Sequence, residues 1–431
     1  MQPRQIGNCR LCLSSTLTSV IDLGELASCG VFPKADEPSP QRAPLELLQC
    51  GACGLVQLAH DYDGDELYRG GYGYRSGINE SMVRHLGTIT NTVASRVALA
   101  PGDVVLDIGS NDGTLLRSYG QAGLTKVGID PTIARFASYY DQSIIALPTF
   151  FSEAVYASAL QGRKAKVVTS ISMFYDLPAP MAFVRDVASV LSDDGIWVLE
   201  QSYLPAMLER RSFDTICHEH LEYYCLHQVK RLCEANGLRI VDVQFNDVNG
   251  GSFQVTVCRR NGTVTERHDA AIAKILADEV EAGFLTAAPF RKFGQEIVRL
   301  RARTLSFLVE QKRRGRLVHG YGASTKGNTL LQLFGITADL LPAIADRNPD
   351  KDGARTPGTD IPIVSEAQSR QMRPDFYFVL PWHFRDSFIA RERDFLQEGG
   401  TFVFPLPDFE IYSGRQAAVG QEAPAPARRR G

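Results

Sequence analysis

The stretch Val104-Val-Leu-Asp-Ile-Gly-Ser-Asn-Asp-Gly-Thr-Leu-Leu116 decides the fold of this chain. Its apolar residues predict a short buried strand, and Gly109 and Gly113 allow the backbone to turn tightly into a helix. About 20 residues further on, Lys126-Val-Gly-Ile-Asp130 predicts a second strand that ends in a carboxylate. Together these elements predict the first half of a nucleotide-binding βαβ unit, in which the acid accepts hydrogen bonds from ribose hydroxyls.

The glycine spacing separates this turn from the dinucleotide-binding fingerprint, because Gly109-Ser-Asn-Asp-Gly113 lacks the third glycine. The turn is instead similar to the S-adenosylmethionine loop of class I methyltransferases, whose usual form is D-x-G-x-x-x-G. An ordinary βα turn in another α/β domain is the alternative. The resemblance implies that the cofactor is held by Asp107, Gly109, Asn111, Gly113 and Asp130.

The composition is that of an ordinary globular protein and argues against several classes of partner. The chain has 431 residues, roughly two to three domains at about 100–200 residues each. Its net charge is −3 and a basic run occurs only in the last few residues, so we expect no nucleic acid partner. No apolar run approaches the roughly 18 residues of a membrane span, and the N-terminus lacks the apolar core of a signal peptide. We therefore expect no membrane partner and a cytoplasmic location.

Two cysteine pairs predict a metal site in the N-terminal segment. Cys9-Arg-Leu-Cys12 and Cys50-Gly-Ala-Cys53 each form a CxxC knuckle, and two knuckles supply the four sulfur ligands of a structural zinc ion. A redox dithiol is the alternative, but it needs only one pair. We predict a fold-stabilising Zn²⁺ bound by Cys9, Cys12, Cys50 and Cys53.

A glycine- and tyrosine-rich stretch, Tyr68-Arg-Gly-Gly-Tyr-Gly-Tyr-Arg-Ser76, follows the zinc segment. Its glycines disfavour both helix and strand, so we predict a loop. Loops with hydroxyl-bearing rings often cover pockets, and a solvent-facing turn is the alternative.

The αβ alternation continues after Asp130 and predicts a central sheet. Residues 166–172 and 196–200 are predicted buried strands, and residues 251–258 alternate as a final antiparallel strand would. Asp176 follows the first of these strands, where ligands bind in open α/β sheets.

The candidate catalytic segment is Phe213-Asp-Thr-Ile-Cys-His-Glu-His-Leu-Glu-Tyr-Tyr224. Histidines, carboxylates and tyrosines this close together favour an acid/base cluster, because imidazole titrates near neutrality and a neighbouring carboxylate orients or charges it. A satisfied structural network is one alternative. A metal site is another, but His218 and His220 at i, i+2 would point apart on a helix and no third ligand is near.

The C-terminal third repeats the pattern of strand, glycine turn and helix over residues 316–331, after a helical region at 265–314. Backbone amides at that helix N-terminus, with Thr325 and Lys326, would suit a phosphate group. An NAD site is the alternative, but Gly320-Tyr-Gly-Ala-Ser-Thr lacks the final glycine of that fingerprint.

The four-cysteine segment, the glycine turn and His218-Glu-His-Leu-Glu-Tyr-Tyr224 together resemble the zinc-containing NDP-sugar C-methyltransferases of deoxysugar biosynthesis. The resemblance covers essentially the whole chain. It implies an S-adenosylmethionine-dependent enzyme that adds a methyl branch to a dTDP- or GDP-4-keto-6-deoxyhexose, commonly at C-3, with C-5 as the alternative.

The resemblance also implies roles for individual residues. His220 is the expected base, Glu219 would orient it, and Tyr74 or Tyr224 would stabilise the enolate. Two positions depart from the family pattern: Cys217 stands where several members have tyrosine, and Asp176 where histidine is frequent. The expected substrate contacts are Tyr72, Tyr74, His218, Glu222, Tyr321, Ser324, Lys326, Asn328, Arg347 and His383.

The predicted fold is α/β throughout. We expect a zinc-binding knuckle domain with its loop (1–75), a class I methyltransferase sheet (76–261), a second Rossmann-like α/β domain (262–412) and a disordered tail (413–431). The rival functions are an NDP-sugar epimerase or oxidoreductase that uses the C-terminal glycine loop, and a scaffold that senses S-adenosylmethionine. A scaffold has no need of an acid/base cluster.

Overall fold

A computed structural model describes residues 3–64, 67 and 74–414. The predicted loop around Tyr72 and residues 415–431 of the predicted tail lie outside this described part. The chain forms two compact units. The first contains the chain up to Phe32 together with Pro40–Gln295, and the second contains Pro33–Ser39 together with the chain from Glu296 onward.

The first unit begins with short antiparallel strands, in which alternating burial along the longer strands reflects one covered face. β2 and β3 form a hairpin, and β1 pairs with β5. The strands are β1 (Arg4–Gln5), β2 (Leu17–Ala27), β3 (Arg42–Cys50), β4 (Val56–Leu58) and β5 (His60–Asp61).

Helix α1 (Glu80–Arg96) leads into the central sheet and buries Met82, Leu86, Ile89 and Val93, which share one face at helical spacing. The elements that follow are β6 (Val104–Ile108), α2 (Thr114–Arg117), β7 (Thr125–Ile129), α3 (Ile133–Phe136), β8 (Ile144–Leu147), α4 (Glu153–Leu160), β9 (Ala165–Ile171), α5 (Pro180–Val190) and β10 (Leu191–Ser202).

The elements that complete the first unit are α6 (Leu204–Glu209), β11 (Glu222–Tyr223), α7 (Leu226–Ala235), β12 (Leu238–Asn246), β13 (Ser252–Arg259) and α8 (Asp269–Glu281). Helix α9 (Ala288–Arg313) begins in the first unit, and its residues from Glu296 onward belong to the second. The helical region predicted for 265–314 is therefore two helices. Gly283, at φ 73°, ends the first because its left-handed backbone cannot continue an α-helix.

The central sheet has seven strands in the order β12-β13-β10-β9-β6-β7-β8. β13 runs antiparallel to both of its neighbours, whereas the other pairs are parallel. This arrangement confirms the predicted sheet and its final antiparallel strand. The order of strands reverses between β6 and β9, and ligands in open α/β sheets bind at the carboxyl ends of strands beside such a point.

Strand β11 belongs to a different sheet from its neighbours in sequence. It pairs with β4 and completes a four-stranded sheet in the order β11-β4-β3-β2. The candidate catalytic segment is thus joined by backbone hydrogen bonds to the strands that follow the second cysteine pair.

The second unit is a six-stranded sheet in the order β16-β15-β14-β17-β18-β19, parallel except for β19. Its elements are β14 (Val318–Tyr321), α10 (Thr325–Phe334), β15 (Ile344–Asp346), β16 (Ile363–Ser365), α11 (Glu366–Gln371), β17 (Phe376–Val379), α12 (Arg385–Arg391), α13 (Arg393–Gln397), β18 (Thr401–Phe404) and β19 (Glu410–Ser413). The predicted second α/β sheet is confirmed.

Candidate active site

The sulfur atoms of the four predicted zinc ligands lie within 4.8 Å of one another. The sulfur atoms of Cys9 and Cys53 are 3.6 Å apart, and those of Cys12 and Cys50 are 3.5 Å apart. Sulfur ligands about 2.3 Å from a tetrahedral Zn²⁺ are separated by about 3.8 Å, so this cluster fits the ion with little rearrangement.

Arg10, inside the first cysteine knuckle, connects the knuckle to the strands after the second. Its buried guanidinium donates hydrogen bonds to the carbonyl oxygens of Leu58 at 2.7 Å and His60 at 3.0 Å. Its Nε also lies 3.9 Å from a carboxyl oxygen of Glu222 in β11. The zinc cluster therefore orients a cation beside the candidate catalytic segment.

The predicted cofactor residues lie at the carboxyl ends of β6 and β7. The Asp107 carboxylate accepts a hydrogen bond from the Thr169 hydroxyl at 2.6 Å, and Asp130 accepts one from the Asn111 amide at 2.9 Å. Burial raises the pKa of Asp107 to about 7 and also raises the pKa of Asp130. Two buried acids favour a cationic ligand, and S-adenosylmethionine carries a sulfonium and an ammonium group.

The turn between β6 and α2 needs glycine for two reasons. Gly109 has φ 75°, a left-handed conformation that side chains disfavour. A Cβ atom at Gly109 would lie 2.8 Å from the Met173 side chain, which packs against the turn. Gly113 also has φ 75° and precedes α2.

The side chain of Asn111 forms hydrogen bonds with the segment that carries Tyr74. Its amide oxygen accepts a hydrogen bond from the Ser76 N–H at 3.0 Å, and its amide nitrogen donates to the Tyr74 carbonyl at 3.2 Å. The Asn111 side chain thus connects the segment that carries Tyr74 to the cofactor turn through hydrogen bonds. Tyr74 itself is 43% exposed, and Tyr72 lies outside the described residues.

His220 is held by a backbone carbonyl. Its Nδ1 lies 2.7 Å from the carbonyl oxygen of Thr215, at the end of a short 3₁₀ turn (Phe213–Thr215). A carbonyl only accepts hydrogen bonds, so Nδ1 carries the proton and Nε2 carries the lone pair. This tautomer gives the imidazole a basic nitrogen.

His220 borders a small pocket. Both carboxyl oxygens of Glu222 and the hydroxyls of Ser202 and Tyr223 have no hydrogen-bond partner among the described residues. Buried polar groups without partners are costly, so the pocket suits a ligand rich in hydroxyl groups. The lining residues are Tyr175, Ser202, Tyr203, Leu204, Met207, Thr215, His220, Glu222 and Tyr223.

The other predicted catalytic acids, Glu219 and Asp176, are not among the residues that line this pocket. Glu219 is buried and accepts hydrogen bonds from the Cys217 thiol and the Gly30 amide, and burial raises its pKa. Asp176 is close enough to raise the pKa of Cys217 and of Glu222, although burial is the larger cause for both. Cys217, Glu219 and Asp176 are thus brought together near His220.

His218 and Tyr224 are not among the residues that line the pocket. His218 donates from Nε2 to the Ala43 carbonyl at 3.2 Å, and burial lowers its pKa to about 4. Tyr224 is fully buried in the core, where its ring lies 5.3 Å from that of Phe174. Neither side chain is placed to contact a ligand in this pocket.

Seven pocket residues were absent from the predicted site: Tyr175, Ser202, Tyr203, Leu204, Met207, Thr215 and Tyr223. Tyr175 had a usable signal, because it adjoins Asp176 just after the predicted strand at 166–172. Thr215 lies in the candidate segment at 213–224, but nothing singled out its carbonyl, which contacts His220. Ser202 had no signal in the sequence, since it reaches the pocket from a segment distant from His220.

The predicted residues of the second unit gather at the carboxyl ends of its parallel strands. Ser324 caps α10 by accepting a hydrogen bond from the Gly327 amide at 3.0 Å. Lys326 lies in the first turn of α10, and its charge is the second cause, after burial, of the lowered pKa of His383. The Tyr321 hydroxyl donates to Glu392 at 2.6 Å.

The other two predicted residues of this unit differ in burial. Asn328 is fully buried in α10, whereas Arg347 is exposed directly after β15.

Within the described chain, none of the helices is both long and apolar enough to cross a membrane.

Comparison with known proteins identifies three successive families along the chain. A zinc binding domain matches residues 9–68, a methyltransferase domain matches 82–243, and a C-methyltransferase C-terminal domain matches 247–407. The first match contains the cysteine cluster and the second contains most of the central sheet, whereas the third begins before β13 and extends through most of the second unit.

One curated relative spans nearly the whole chain. C-methyltransferase NovU from Streptomyces niveus is 31% identical over 413 residues, which cover 95% of this chain and 98% of NovU.

Solved structures give only weak likenesses. The 1,6-didemethyltoxoflavin-N1-methyltransferase of Burkholderia thailandensis has a TM-score of 0.32 at 14% identity, covering 42% of this chain and 80% of that one. The magnesium protoporphyrin IX methyltransferase of Synechocystis PCC 6803 has a TM-score of 0.33 at 15% identity, covering 44% and 90%. The family assignment rests instead on NovU: this chain belongs to the same C-methyltransferase family and is a zinc-binding, S-adenosylmethionine-dependent C-methyltransferase.

Proposed function

We propose that this enzyme methylates an NDP-4-keto-6-deoxyhexose on a carbon beside the ketone, at C-3 in preference to C-5. The observation that carries the proposal is the pocket beside His220. It combines an imidazole whose Nε2 holds the lone pair with several buried polar groups that lack partners among the described residues. A ketone-bearing sugar needs both a base and hydroxyl-binding groups.

The chemistry follows from the acidity of hydrogens beside a ketone. His220 removes the proton, and the electron pair left on carbon is delocalised onto the ketone oxygen as an enolate. S-adenosylmethionine supplies an electrophilic methyl group when it is bound. The enolate carbon forms the new carbon–carbon bond, which yields the branched sugar and S-adenosylhomocysteine.

The polar groups of the pocket would bind the sugar so that the hydrogen beside its ketone lies next to His220. The Glu222 carboxyl and the Ser202 and Tyr223 hydroxyls are buried and would each gain a partner from a sugar hydroxyl. Asp107 and Asp130 would hold the cofactor through its charged and ribose groups. In this assignment Glu219 accepts a hydrogen bond from the Cys217 thiol, while Thr215 orients the base.

The second unit would bind the nucleoside diphosphate. The N-terminus of α10 presents backbone amides, and Lys326 adds a positive charge in its first turn. Arg347 follows β15 and His383 follows β17, the two strands that flank β14 in that sheet. The pyrophosphate of either a dTDP- or a GDP-sugar has the charge that these groups favour.

The test is incubation of the enzyme with S-adenosylmethionine and a panel of dTDP- and GDP-4-keto-6-deoxyhexoses. Mass spectrometry would show the gain of one methyl group, and NMR would locate it on a ring carbon. Epimerised sugar without added methyl, or a requirement for NAD, would favour the rival enzyme class. Unchanged sugars throughout the panel would contradict the proposed substrate class.

A further inference from the structure

Tyr175 lies where the cofactor turn and the candidate base meet. It belongs to a short 3₁₀ turn (Phe174–Asp176) that follows β9, one of the two strands at the switch point of the sheet. Two residues earlier, Met173 packs directly on Gly109 of the cofactor turn. On the other side, the Tyr175 ring lies against the imidazole of His220, with centroids 4.2 Å apart.

Tyr175 is also surrounded by the other residues assigned to the site. Asp176, Cys217 and Tyr74 all interact electrostatically with its hydroxyl. The side chain is only 7% exposed, and it lines the pocket that His220 borders. Because it contacts His220 and lines the pocket, its hydroxyl is well placed to act on a ligand held there.

We propose that Tyr175 is a catalytic residue whose hydroxyl donates a hydrogen bond to the ketone oxygen of the substrate. This inference rests on the proposed function, because it assigns the oxyanion donor of that reaction. The C–H bond beside the ketone breaks, its proton goes to Nε2 of His220, and its electron pair moves towards the ketone oxygen. The Tyr175 hydroxyl stabilises that oxygen without giving up its proton.

The bond between carbon and the transferred methyl then forms as the sulfur–methyl bond breaks. The electrons of the broken bond remain on sulfur, which becomes a neutral thioether. The enolate oxygen returns to a ketone and Tyr175 keeps its proton, so the step needs no additional oxidant, reductant or acid.

A hydrogen-bond chain orients the Tyr175 hydroxyl for this role. The Ser172 hydroxyl hydrogen-bonds to Tyr175, and Asn249 donates to the Ser172 oxygen at 3.2 Å. Ser172 itself has φ 55° at the end of β9, and its amide donates to the Glu200 carbonyl at 2.6 Å. With its oxygen lone pair engaged by Ser172, the phenol can direct its proton into the pocket.

The phenol remains a donor at any working pH, because burial raises the pKa of Tyr175 well above 10. Tyr224, the tyrosine that the sequence favoured, lacks this placement: its ring packs in the core against Phe174. Tyr223 also lines the pocket, where it follows Glu222 in β11, whereas the ring contact with His220 is made by Tyr175.

The test measures hydrogen exchange at the carbon beside the ketone, in deuterated water with S-adenosylhomocysteine in place of the methyl donor. Tyr175→Phe keeps the ring against His220 and removes only the hydroxyl. We expect exchange to slow by about 100-fold, the usual effect of losing one oxyanion donor. Tyr224→Phe is the matched control and should exchange at the wild-type rate.

Several outcomes would overturn the inference. Wild-type exchange in Tyr175→Phe would do so, as would loss of exchange in Tyr223→Phe instead. A structural role for Tyr175 would shift the pH at which exchange is half-maximal, whereas loss of an oxyanion donor lowers the rate at every pH. If the wild-type enzyme neither exchanged nor methylated any 4-keto sugar, the proposed function would fail and this inference with it.

Discussion

The Nδ1 atom of His220 lies 2.7 Å from the carbonyl oxygen of Thr215, five residues earlier in the chain. This contact fixes which ring nitrogen carries the proton, so the base is oriented by backbone. A backbone acceptor keeps the same form at every pH, whereas a carboxylate partner would itself titrate. His220 therefore presents a lone pair at Nε2 without requiring an ionised Glu219.

Replacement of this base should abolish most of the chemistry. We expect His220→Gln to slow methyl transfer by about 10²- to 10⁴-fold, the range typical for a lost general base, with unchanged affinity for S-adenosylmethionine. Calorimetric titration would check the affinity. His268→Gln, at a half-exposed histidine, is the control and should retain activity. Full turnover by His220→Gln would refute the base assignment.

The zinc cluster should support the fold. Cys50→Ser removes one of four sulfur ligands, so we expect bound zinc to fall well below one ion per chain. The free energy of unfolding should drop by about 5 kcal/mol or more, because structural zinc binding is coupled to folding. Cys29→Ala, at a buried cysteine outside the cluster, should leave the zinc content unchanged. Equal stability with and without chelator would contradict this role.

We expect the buried Glu222 carboxyl to lower the free energy of unfolding of the unliganded enzyme and to contribute to substrate binding. Both of its carboxyl oxygens are buried and lack hydrogen-bond partners among the described residues. We expect Glu222→Leu to raise the free energy of unfolding by about 1–2 kcal/mol, since it removes that desolvation cost. The same change should lower kcat/KM at least about tenfold through the lost substrate hydrogen bond.

Urea unfolding and steady-state kinetics measure the two effects of Glu222→Leu separately. Arg10, the nearest cation to Glu222, should remain satisfied because it also pairs with Asp61 at 2.7 Å. Glu222→Gln keeps the shape and one acceptor oxygen, so its kinetic loss should be smaller. A destabilised but fully active Glu222→Leu enzyme would show that the carboxyl is structural.

Asp107 should make the cofactor-free enzyme less stable at higher pH. Its pKa is raised from 3.8 to about 7 in the folded chain, mainly by burial, so the folded state binds the proton more tightly than the unfolded state. The stabilising contribution of that proton is present below about pH 4 and is lost as the pH rises towards 7.

Asp107→Asn removes the ionisable carboxyl at this position, whereas Asp130 and Glu219 are present in both the variant and the wild type. The free energy of unfolding of the variant, taken relative to that of the wild type, should therefore rise by about 3 kcal/mol from pH 5 to pH 8. This figure follows from about 1.4 kcal/mol per unit of pKa shift. Urea unfolding at the two pH values is the measurement. A pH-independent difference between the two proteins would contradict the assignment.

Local sequence patterns predicted the elements of the fold well. The apolar run before Gly109 predicted β6, and the cysteine spacing predicted a cluster whose sulfur atoms do converge. Both signals are short-range: a strand, a glycine turn or a CxxC knuckle leaves its mark within a few residues.

The active-site details depend on contacts that leave no local mark. Glu222 pairs with Gln57 across the β11–β4 ladder, and that register follows from the whole fold. The tilted ring contact between Tyr175 and His220 likewise joins two segments that are distant in sequence. Sequence could nominate the residues of the segment at 213–224, but it could not separate Tyr223, which lines the pocket, from Tyr224, which packs in the core.

The most direct test of methylation at C-3 is whether the hydrogen on that carbon is lost during the reaction. The enzyme would be given S-adenosylmethionine and a dTDP-4-keto-6-deoxyhexose that carries deuterium at C-3, and the product would be examined by mass spectrometry and NMR. We expect a product that has gained a methyl group at C-3 and lost the deuterium. A methylated product that retains the deuterium at C-3 would contradict methylation at that carbon and move the reaction to C-5 or to an oxygen.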